Sequence, residues 1–277
     1  MSAGAGPEHV RIERRGRVAW VILDRAERLN AFDEPMSLQL CPALREALAD
    51  PDSSVLVITG AGRAFCAGAD IAYLRELHER GDGRRLGELV AAGGDAALLL
   101  RGSPKPVLAA VNGPAAGGGA NLALACDVRI AARTASIGQT FVRIGLHPDW
   151  GGTHLLPRIV GTARALELMW SGRMVDASEA LALGLFDRVV PADELEGEVT
   201  RLAEHLAAAA PDAVGRMKAA VYAGERAAFE EALRLELANQ LALFEGGDAA
   251  EGLRAFLAKR APRFSGQAAQ AAAGLPA

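Results

Sequence analysis

Cysteine is scarce in this sequence of 277 residues, and the three cysteines, Cys41, Cys66 and Cys126, are far apart and odd in number. Such a set offers neither a disulfide framework nor the paired spacing of a metal site, so we expect no metal and a reducing, cytoplasmic location. An excess of positive charge is also lacking, because the formal net charge is −4 and no basic run occurs. A dedicated nucleic-acid surface is therefore disfavoured.

Long apolar runs are absent as well. No run reaches the length of a membrane span, and residues 1–7 are small and polar, unlike a secretory signal. Hydrophobic residues still make up 51% of the chain, which is enough for a sizeable core. We expect a folded protein that binds neither nucleic acid nor a membrane, with flexible tails at residues 1–8 and 266–277.

The apolar pattern predicts an α/β fold. Alternating residues at 9–13 and 18–24 are typical of an opening hairpin, and residues 35–49 of an amphipathic helix. Later strand-like runs alternate with helices, which indicates a parallel sheet with helical cover. These runs are residues 55–59, 106–111, 128–131 and 135–137.

After about residue 195 the pattern becomes helical. The predicted helices are residues 195–209, 212–224, 227–244 and 248–260. The third carries apolar residues on more than one face, so we expect it to be buried on more than one face, within the chain or against other copies. The charged run at residues 80–85 favours a solvated loop.

Two glycine-rich turns each follow a predicted strand and lead into a predicted helix. They are Ala67-Gly68-Ala69-Asp70-Ile71 and Gly117-Gly118-Gly119-Ala120-Asn121. Backbone N–H groups at two helix starts would form an oxyanion hole if they pointed at one spot, although tight turns without a ligand are the alternative. The second turn lacks the Lys and Ser/Thr of a phosphate-binding loop, and the first lacks the third glycine of a dinucleotide fingerprint.

With these turns, further motifs resemble the crotonase (enoyl-CoA hydratase/isomerase) superfamily over residues 10–265. They are Leu29-Asn30-Ala31, Ala125-Cys126-Asp127, residues 148–153, residues 178–190 and residues 251–264. The resemblance implies a spiral of ββα units at residues 9–195 and a C-terminal helical region at 196–265. It also implies an acyl-CoA thioester substrate, and assembly as a homotrimer or a dimer of trimers.

Two glutamates that hydratases of this family carry are missing. By motif, the resemblance assigns the oxyanion-hole amides to Ala69 and Gly118, and the glutamate positions to Asn121 and Phe141. Water addition to a conjugated double bond needs a base for the water and an acid for the α-carbon. Since neither asparagine nor phenylalanine transfers protons at neutral pH, ordinary hydration is disfavoured.

Asp149 is the carboxylate that remains by motif. The residues alone favour an N-cap for the helix that follows. The resemblance, nearest to isomerases of the 1,2-epoxyphenylacetyl-CoA type in phenylacetate breakdown, implies instead a proton-transfer residue. The chain is therefore expected to be an acyl-CoA isomerase that shifts a double bond or rearranges a ring. The alternatives are a hydratase, a hydrolase or dehalogenase that uses Asp149, and a catalytically silent CoA-binding subunit.

The resemblance also implies the substrate contacts. Backbone near Ala67, Gly68, Asp70 and Ile71 would hold the adenine of CoA, while Arg28 and Lys259 are weaker candidates for its phosphates. The remaining predicted contacts are Gly117, Asn121, Phe141 and Trp150. Asn121 either bonds the substrate or caps its turn. No cofactor is expected, because CoA is part of the substrate. Cys66, His147 and His154 are more typical of structural roles.

Overall fold

A computed structural model describes residues 8–225 and 227–265, so the tail predictions for residues 1–7 and 266–277 lie outside the described residues. The fold is α/β, as predicted. Its strands are β1 (Val10–Arg15), β2 (Val18–Leu23), β3 (Val55–Gly60), β4 (Val107–Val111), β5 (Ala115–Ala116), β6 (Val128–Ala132), β7 (Ser136–Gly138), β8 (Met174–Asp176) and β9 (Arg188–Val190).

The larger sheet has the strand order β1-β2-β3-β4-β6-β9. The opening hairpin β1–β2 is antiparallel, and every later neighbour is parallel. Both expectations, the hairpin and the parallel sheet, are confirmed. A smaller sheet joins β5 to β7 in parallel and β7 to β8 antiparallel.

The parallel register of β3 and β4 brings the two glycine-rich turns together. Ile58 lies opposite Ala109, and both strands run in the same direction. The carboxyl ends of parallel neighbours meet at one edge of a sheet, which is where α/β folds place ligands. Both turns leave the sheet at this edge, and both lead into helices.

The helices cover a sheet that is buried on both faces, as the completely buried consecutive residues Val55 to Ile58 indicate. Helix α8 packs against β2, β3, β4 and β6, and α1 packs against β1, β2 and α3. The helices are α1 (Glu34–Ala49), α2 (Ile71–Glu79), α3 (Gly83–Gly102), α4 (Gly118–Ala125), α5 (Gly152–Val160), α6 (Thr162–Ser171), α7 (Ala177–Ala182), α8 (Leu195–Ala207), α9 (Pro211–Gly224), α10 (Phe229–Phe244) and α11 (Gly247–Leu257).

The loop predicted at residues 80–85 is wrong in its second half, because α3 already begins at Gly83. The Asp82 side chain accepts a hydrogen bond from the Arg85 amide at 3.1 Å, which satisfies a donor at the helix start. Arg84 and Arg85 form ion pairs with Glu88 and Glu34, respectively. A charged run thus belongs to a helix here, because its charges have partners on neighbouring turns and elements.

The predicted boundary at residues 195/196 falls on α8, whose residues Leu195, Val199 and Ala203 belong to the main hydrophobic core. Helix α9 is also tied to the core. Its Lys218 ammonium lies 2.8 Å from the Asp127 carboxylate, and the Tyr222 hydroxyl donates to the same carboxylate. The helices that project from the core are therefore α10 and α11.

Helix α10 has no buried residue within this chain. Its main packing partners are α9 and α11, and large apolar side chains recur on it every fourth residue without cover. They are Phe229, Leu233, Leu237 and Leu241, followed by Phe244. Burial of α10 inside one subunit is therefore wrong, and its burial against other copies stays a prediction.

Among the residues that the structure describes, none of the helices has the length and apolar character needed to cross a membrane.

Candidate active site

The two glycine-rich turns pack directly against each other. A Cβ atom on Gly119 would lie 2.3 Å from the carbonyl oxygen of Cys66, and one on Gly68 would lie 2.7 Å from that of Ala116. Distances below about 3 Å are not seen for real Cβ contacts, so only glycine permits this approach. The same Cβ on Gly68 would be 3.4 Å from the Gly118 nitrogen, which places the start of α4 beside the first turn.

Buried polar side chains hold the first turn in place. The Asn30 amide nitrogen donates to the carbonyl oxygens of Ala61, Ala64 and Phe65. Asp70 accepts from the Ala72 and Tyr73 amides at the start of α2, and from Arg25 at 2.7 Å. Burial alone would raise the pKa of Asp70, but these bonds outweigh it and the pKa is lowered. The turn is therefore anchored through a charged aspartate.

The amides of Ala69 and Gly118 are the donors that the sequence predicts. Around the first turn, Phe32 donates to the Gly68 carbonyl and Asp70 donates to the Phe32 carbonyl. Within the described part of the chain, the Ala69 amide has no such bond. Gly118 is the first residue of α4, where amides have no partner inside the helix. Both N–H groups thus remain available to a ligand.

Both residues line one small cavity of about 70 Å³, here called the reaction cavity. Of the predicted contacts, it includes Ala67, Gly68, Ile71, Gly117, Phe141 and Trp150, together with Asp149. The remaining lining residues are Leu74, Leu86, Leu89, Val90, Thr140, Ile144 and Leu146. Among the described lining residues, only Asp149 carries an ionisable side chain.

Asp149 lies in this apolar setting with its Oδ1 atom buried and without a hydrogen-bond partner among the described residues. Burial raises its pKa to about 6, against smaller opposing effects of its own backbone amide and of His147. The N-cap interpretation is wrong, because α5 begins at Gly152 with Gly151 as its cap. A carboxyl group in a cleft, with a raised pKa and one oxygen without a partner, is a candidate proton-transfer group.

Asn121 holds the backbone of Asp149 in position. Its amide nitrogen donates to the Asp149 carbonyl oxygen at 2.8 Å, and its amide oxygen accepts from Gln139 at 2.7 Å. Asn121 is completely buried and does not line the reaction cavity. The predicted substrate contact of Asn121 is therefore corrected to a structural one. Gln139 was missed, since a lone glutamine in a strand-like stretch gives no signal of its own.

Trp150, the residue after Asp149, is held in place by tight packing. Its backbone adopts a left-handed φ of 47°, which is unusual for a bulky residue and persists only where packing enforces it. The buried indole packs edge-on against the Phe32 ring, with centroids 4.8 Å apart. It also lies over Gly93 of α3, where a Cβ atom would be 1.7 Å from the ring. Gly93 was missed, because a glycine inside a helix does not reveal what it accommodates.

Gly93→Ala is expected to push the Trp150 indole out of its site and to lower the free energy of unfolding by about 1–3 kcal/mol, as overpacking usually does. The matched control is Gly94→Ala in the same helix, where a Cβ would meet nothing within 4 Å. There, alanine is expected to be neutral or to stabilise α3 by up to about 1 kcal/mol. Denaturant unfolding of both variants measures the difference. Equal stabilities would contradict the tight contact between Gly93 and Trp150.

Arg28 and Lys259 do not line the reaction cavity. Arg28 lines a neighbouring cavity of about 720 Å³, here called the charged cavity, whose walls include Arg25, Asp70 and Arg85. Lys259 follows α11 with a left-handed φ of 51° and lines neither cavity. In this single chain, the structure thus separates Lys259 from the other predicted contacts.

The other side chains considered from the sequence have contacts that indicate structural roles. Cys66 is completely buried, its thiol lies 3.1 Å from the Asn30 carbonyl oxygen, and burial raises its pKa to about 12. A thiol in that state is not a nucleophile at neutral pH. His154 points to Glu225, 3.7 Å away. In the described ranges, no three metal-ligating side chains come together.

Comparison with known proteins gives one consistent result. A family model described as "Enoyl-CoA hydratase/isomerase" matches residues 13–267. A 1,2-epoxyphenylacetyl-CoA isomerase of Escherichia coli is 40% identical over 90% of this chain and 95% of its own length. A crotonyl-CoA hydratase of Syntrophomonas wolfei is 36% identical over 93% of this chain and 98% of its own.

Solved structures agree with these sequence relatives. The crystal structure of an enoyl-CoA hydratase from Bacillus anthracis superimposes with a TM-score of 0.89 at 34% identity. The superposition covers 94% of this chain and all of that one. Relatives that are similar over nearly their whole lengths thus include both an isomerase and hydratases.

Proposed function

The chain belongs to the enoyl-CoA hydratase/isomerase family, and from this we propose that it is an acyl-CoA isomerase with Asp149 as its proton carrier. Isomerase and hydratase activity on acyl-CoA thioesters are the chemistries that the names of its relatives describe. Since both names occur, the choice between them rests on the reaction cavity.

The observation that carries the proposal is the number of proton-transferring groups. Asp149 is the one ionisable side chain among the described residues that line the cavity. Phe141 lies in the wall at one predicted glutamate position, and Asn121 lies outside the cavity at the other. Water addition requires a base and an acid, whereas moving a double bond requires one group that takes a proton and returns it.

The proposed reaction starts with a 3-enoyl thioester. The Asp149 carboxylate removes a proton from the α-carbon, and the electrons of that C–H bond form the enolate. The enolate oxygen accepts hydrogen bonds from the Ala69 and Gly118 amides, which stabilise it in an apolar setting. The protonated Asp149 then returns the proton to the γ-carbon, and the double bond ends between the α- and β-carbons. A pKa of about 6 suits both steps near neutral pH.

The other parts of the proposal concern CoA and assembly. We propose Arg28, which lines the charged cavity, as a contact of the CoA phosphates, and the reaction calls for no further cofactor. The uncovered apolar side chains of α10 support burial against other copies, as a homotrimer or a dimer of trimers. A cytoplasmic location remains a prediction from the cysteine content.

The proposal predicts that a 3-enoyl-CoA is isomerised much faster than crotonyl-CoA is hydrated. We expect kcat/KM to differ by about 100-fold or more, because general acid–base groups contribute at least that much. Product analysis by mass in D₂O follows the transferred proton. A one-base shuttle returns part of the original hydrogen, so the product should carry less than one deuterium.

Hydration of crotonyl-CoA as the fastest reaction would contradict the isomerase assignment. Asp149 would then act through a bound water. Absence of both reactions with retained binding of acyl-CoA would instead indicate a silent binding subunit.

A further inference from the structure

A second, larger apolar space opens next to the reaction cavity. This apolar chamber has a volume of about 680 Å³, roughly tenfold that of the reaction cavity. The two spaces share the aliphatic side chains of Ile71, Leu74, Leu86, Ile144 and Leu146. The chamber is therefore a direct continuation of the place where the thioester would react. Its volume lies within the range of about 300–1,000 Å³ that is typical of ligand sites.

The walls of the chamber leave apolar side chains uncovered. Ile71 is 58% exposed, Ile144 48% and Leu146 42%. Such side chains, clustered around one concave space, are typical of a surface that an apolar ligand covers. The lining also includes Arg75, His78 and Asp82. Of these, Arg75 pairs with Glu79 and Asp82 caps α3.

The chamber is chemically distinct from the charged cavity that it adjoins at Arg75, Leu77 and Asp82. Five arginines and six acidic side chains line the charged cavity. Desolvating the phosphates of a polyanionic CoA against the aliphatic side chains of the chamber would be costly, so the chamber does not suit that end of the substrate. The apolar end of the substrate is thus left for the chamber.

We propose that the chamber binds the tail of the acyl group, and that this chain acts on acyl-CoA thioesters with long aliphatic acyl groups in preference to four-carbon ones. The inference rests on the proposed function for the reacting end. The carbonyl, α-, β- and γ-carbons occupy the reaction cavity, which is too small for more. Each carbon beyond the fourth enters the chamber and removes apolar surface from water.

The experiment compares 3-enoyl-CoA substrates of four, six, eight and ten carbons. Burial of one methylene is worth about a fourfold change in affinity, so kcat/KM should rise at least 20-fold from four to eight carbons. Saturated butyryl-CoA and octanoyl-CoA, which have no double bond to move, provide a binding measurement by calorimetry. Octanoyl-CoA should bind with a lower dissociation constant than butyryl-CoA.

Two glycines of α3 offer matched variants. Gly83 lines the chamber but not the reaction cavity, and a Cβ there would meet nothing within 4 Å. Gly83→Phe should place a ring in the chamber and lower the ratio of eight-carbon to four-carbon kcat/KM at least tenfold. Gly87, one turn later, is exposed and equally open but lines neither space. Gly87→Phe should keep the wild-type ratio.

The outcomes separate the two proposals. Tighter binding of octanoyl-CoA without turnover of any 3-enoyl-CoA would support the chamber and reject the isomerase. Turnover and binding that do not improve with chain length would reject the chamber and leave the isomerase standing. If Gly83→Phe and Gly87→Phe lowered the ratio of eight-carbon to four-carbon kcat/KM equally, the assignment of the chamber would also be overturned.

Discussion

Asp149→Asn is expected to slow the turnover of a 3-enoyl-CoA about 10³-fold at saturation, which is within the usual contribution of a general base. Asparagine has nearly the same shape but cannot take up the proton. Asn121 and Gly152 bond the backbone carbonyl of residue 149, so the loop should keep its position. Steady-state kinetics gives the loss, and calorimetry with a saturated acyl-CoA should show a dissociation constant within a few-fold of the wild type.

The pH profile identifies the group that acts. Because burial raises the pKa of Asp149 to about 6, the wild-type kcat/KM should rise with pH and level off above about pH 7. The residual rate of the asparagine variant should lack this rise. A variant with near-normal turnover, or one that keeps the same inflection, would show that another group carries the proton.

Gly118→Pro is expected to reduce kcat about 10²–10³-fold, the usual cost of removing one oxyanion-hole donor. Proline has no backbone N–H, yet it fits the first position of a helix, and Gly118 is the first residue of α4. The control is Gly118→Ala, which keeps the donor. Its Cβ would lie 3.4 Å from the Trp150 ring, an ordinary contact, so we expect a loss below tenfold.

Kinetics of both variants, with the unfolding midpoint of each, tests this expectation. The proline variant should bind saturated acyl-CoA while failing in turnover, since the enolate needs the donor more than the ground state does. Equal rates for the alanine and proline variants would show that the Gly118 amide does not take part in the reaction.

The sheet and the meeting of the two turns were predictable, because both depend on local patterns. The alternation in β1 and β2 predicts the antiparallel hairpin, and the apolar runs of β3 and β4 predict a parallel pair. Parallel strands then dictate that turns at their carboxyl ends lie together. The extent of α3 was not predictable in the same way, since its charged start depends on partners such as Glu34 that are distant in sequence.

The immediate surroundings of Asp149 could not be predicted from the sequence, for a different reason. Whether its carboxyl caps a helix depends on where α5 begins, and that is set by the left-handed backbone at Trp150 and Gly151. This backbone is held by the contact between Trp150 and Gly93, residues 57 positions apart in the chain. Single-residue preferences carry no information about such a pairing.

The buried carboxyl of Asp149 also ties folding to proton uptake. Its pKa is about 6 in the native protein against an ordinary value of 3.8, so between these values the native state holds more of the proton than the unfolded chain does. The free energy of unfolding contributed by this group therefore falls as pH rises from about 4 to about 6, and stays lower above that. The chain thus reaches its working ionisation state only by giving up part of its stability, which is the opposite of what a salt-bridged aspartate does.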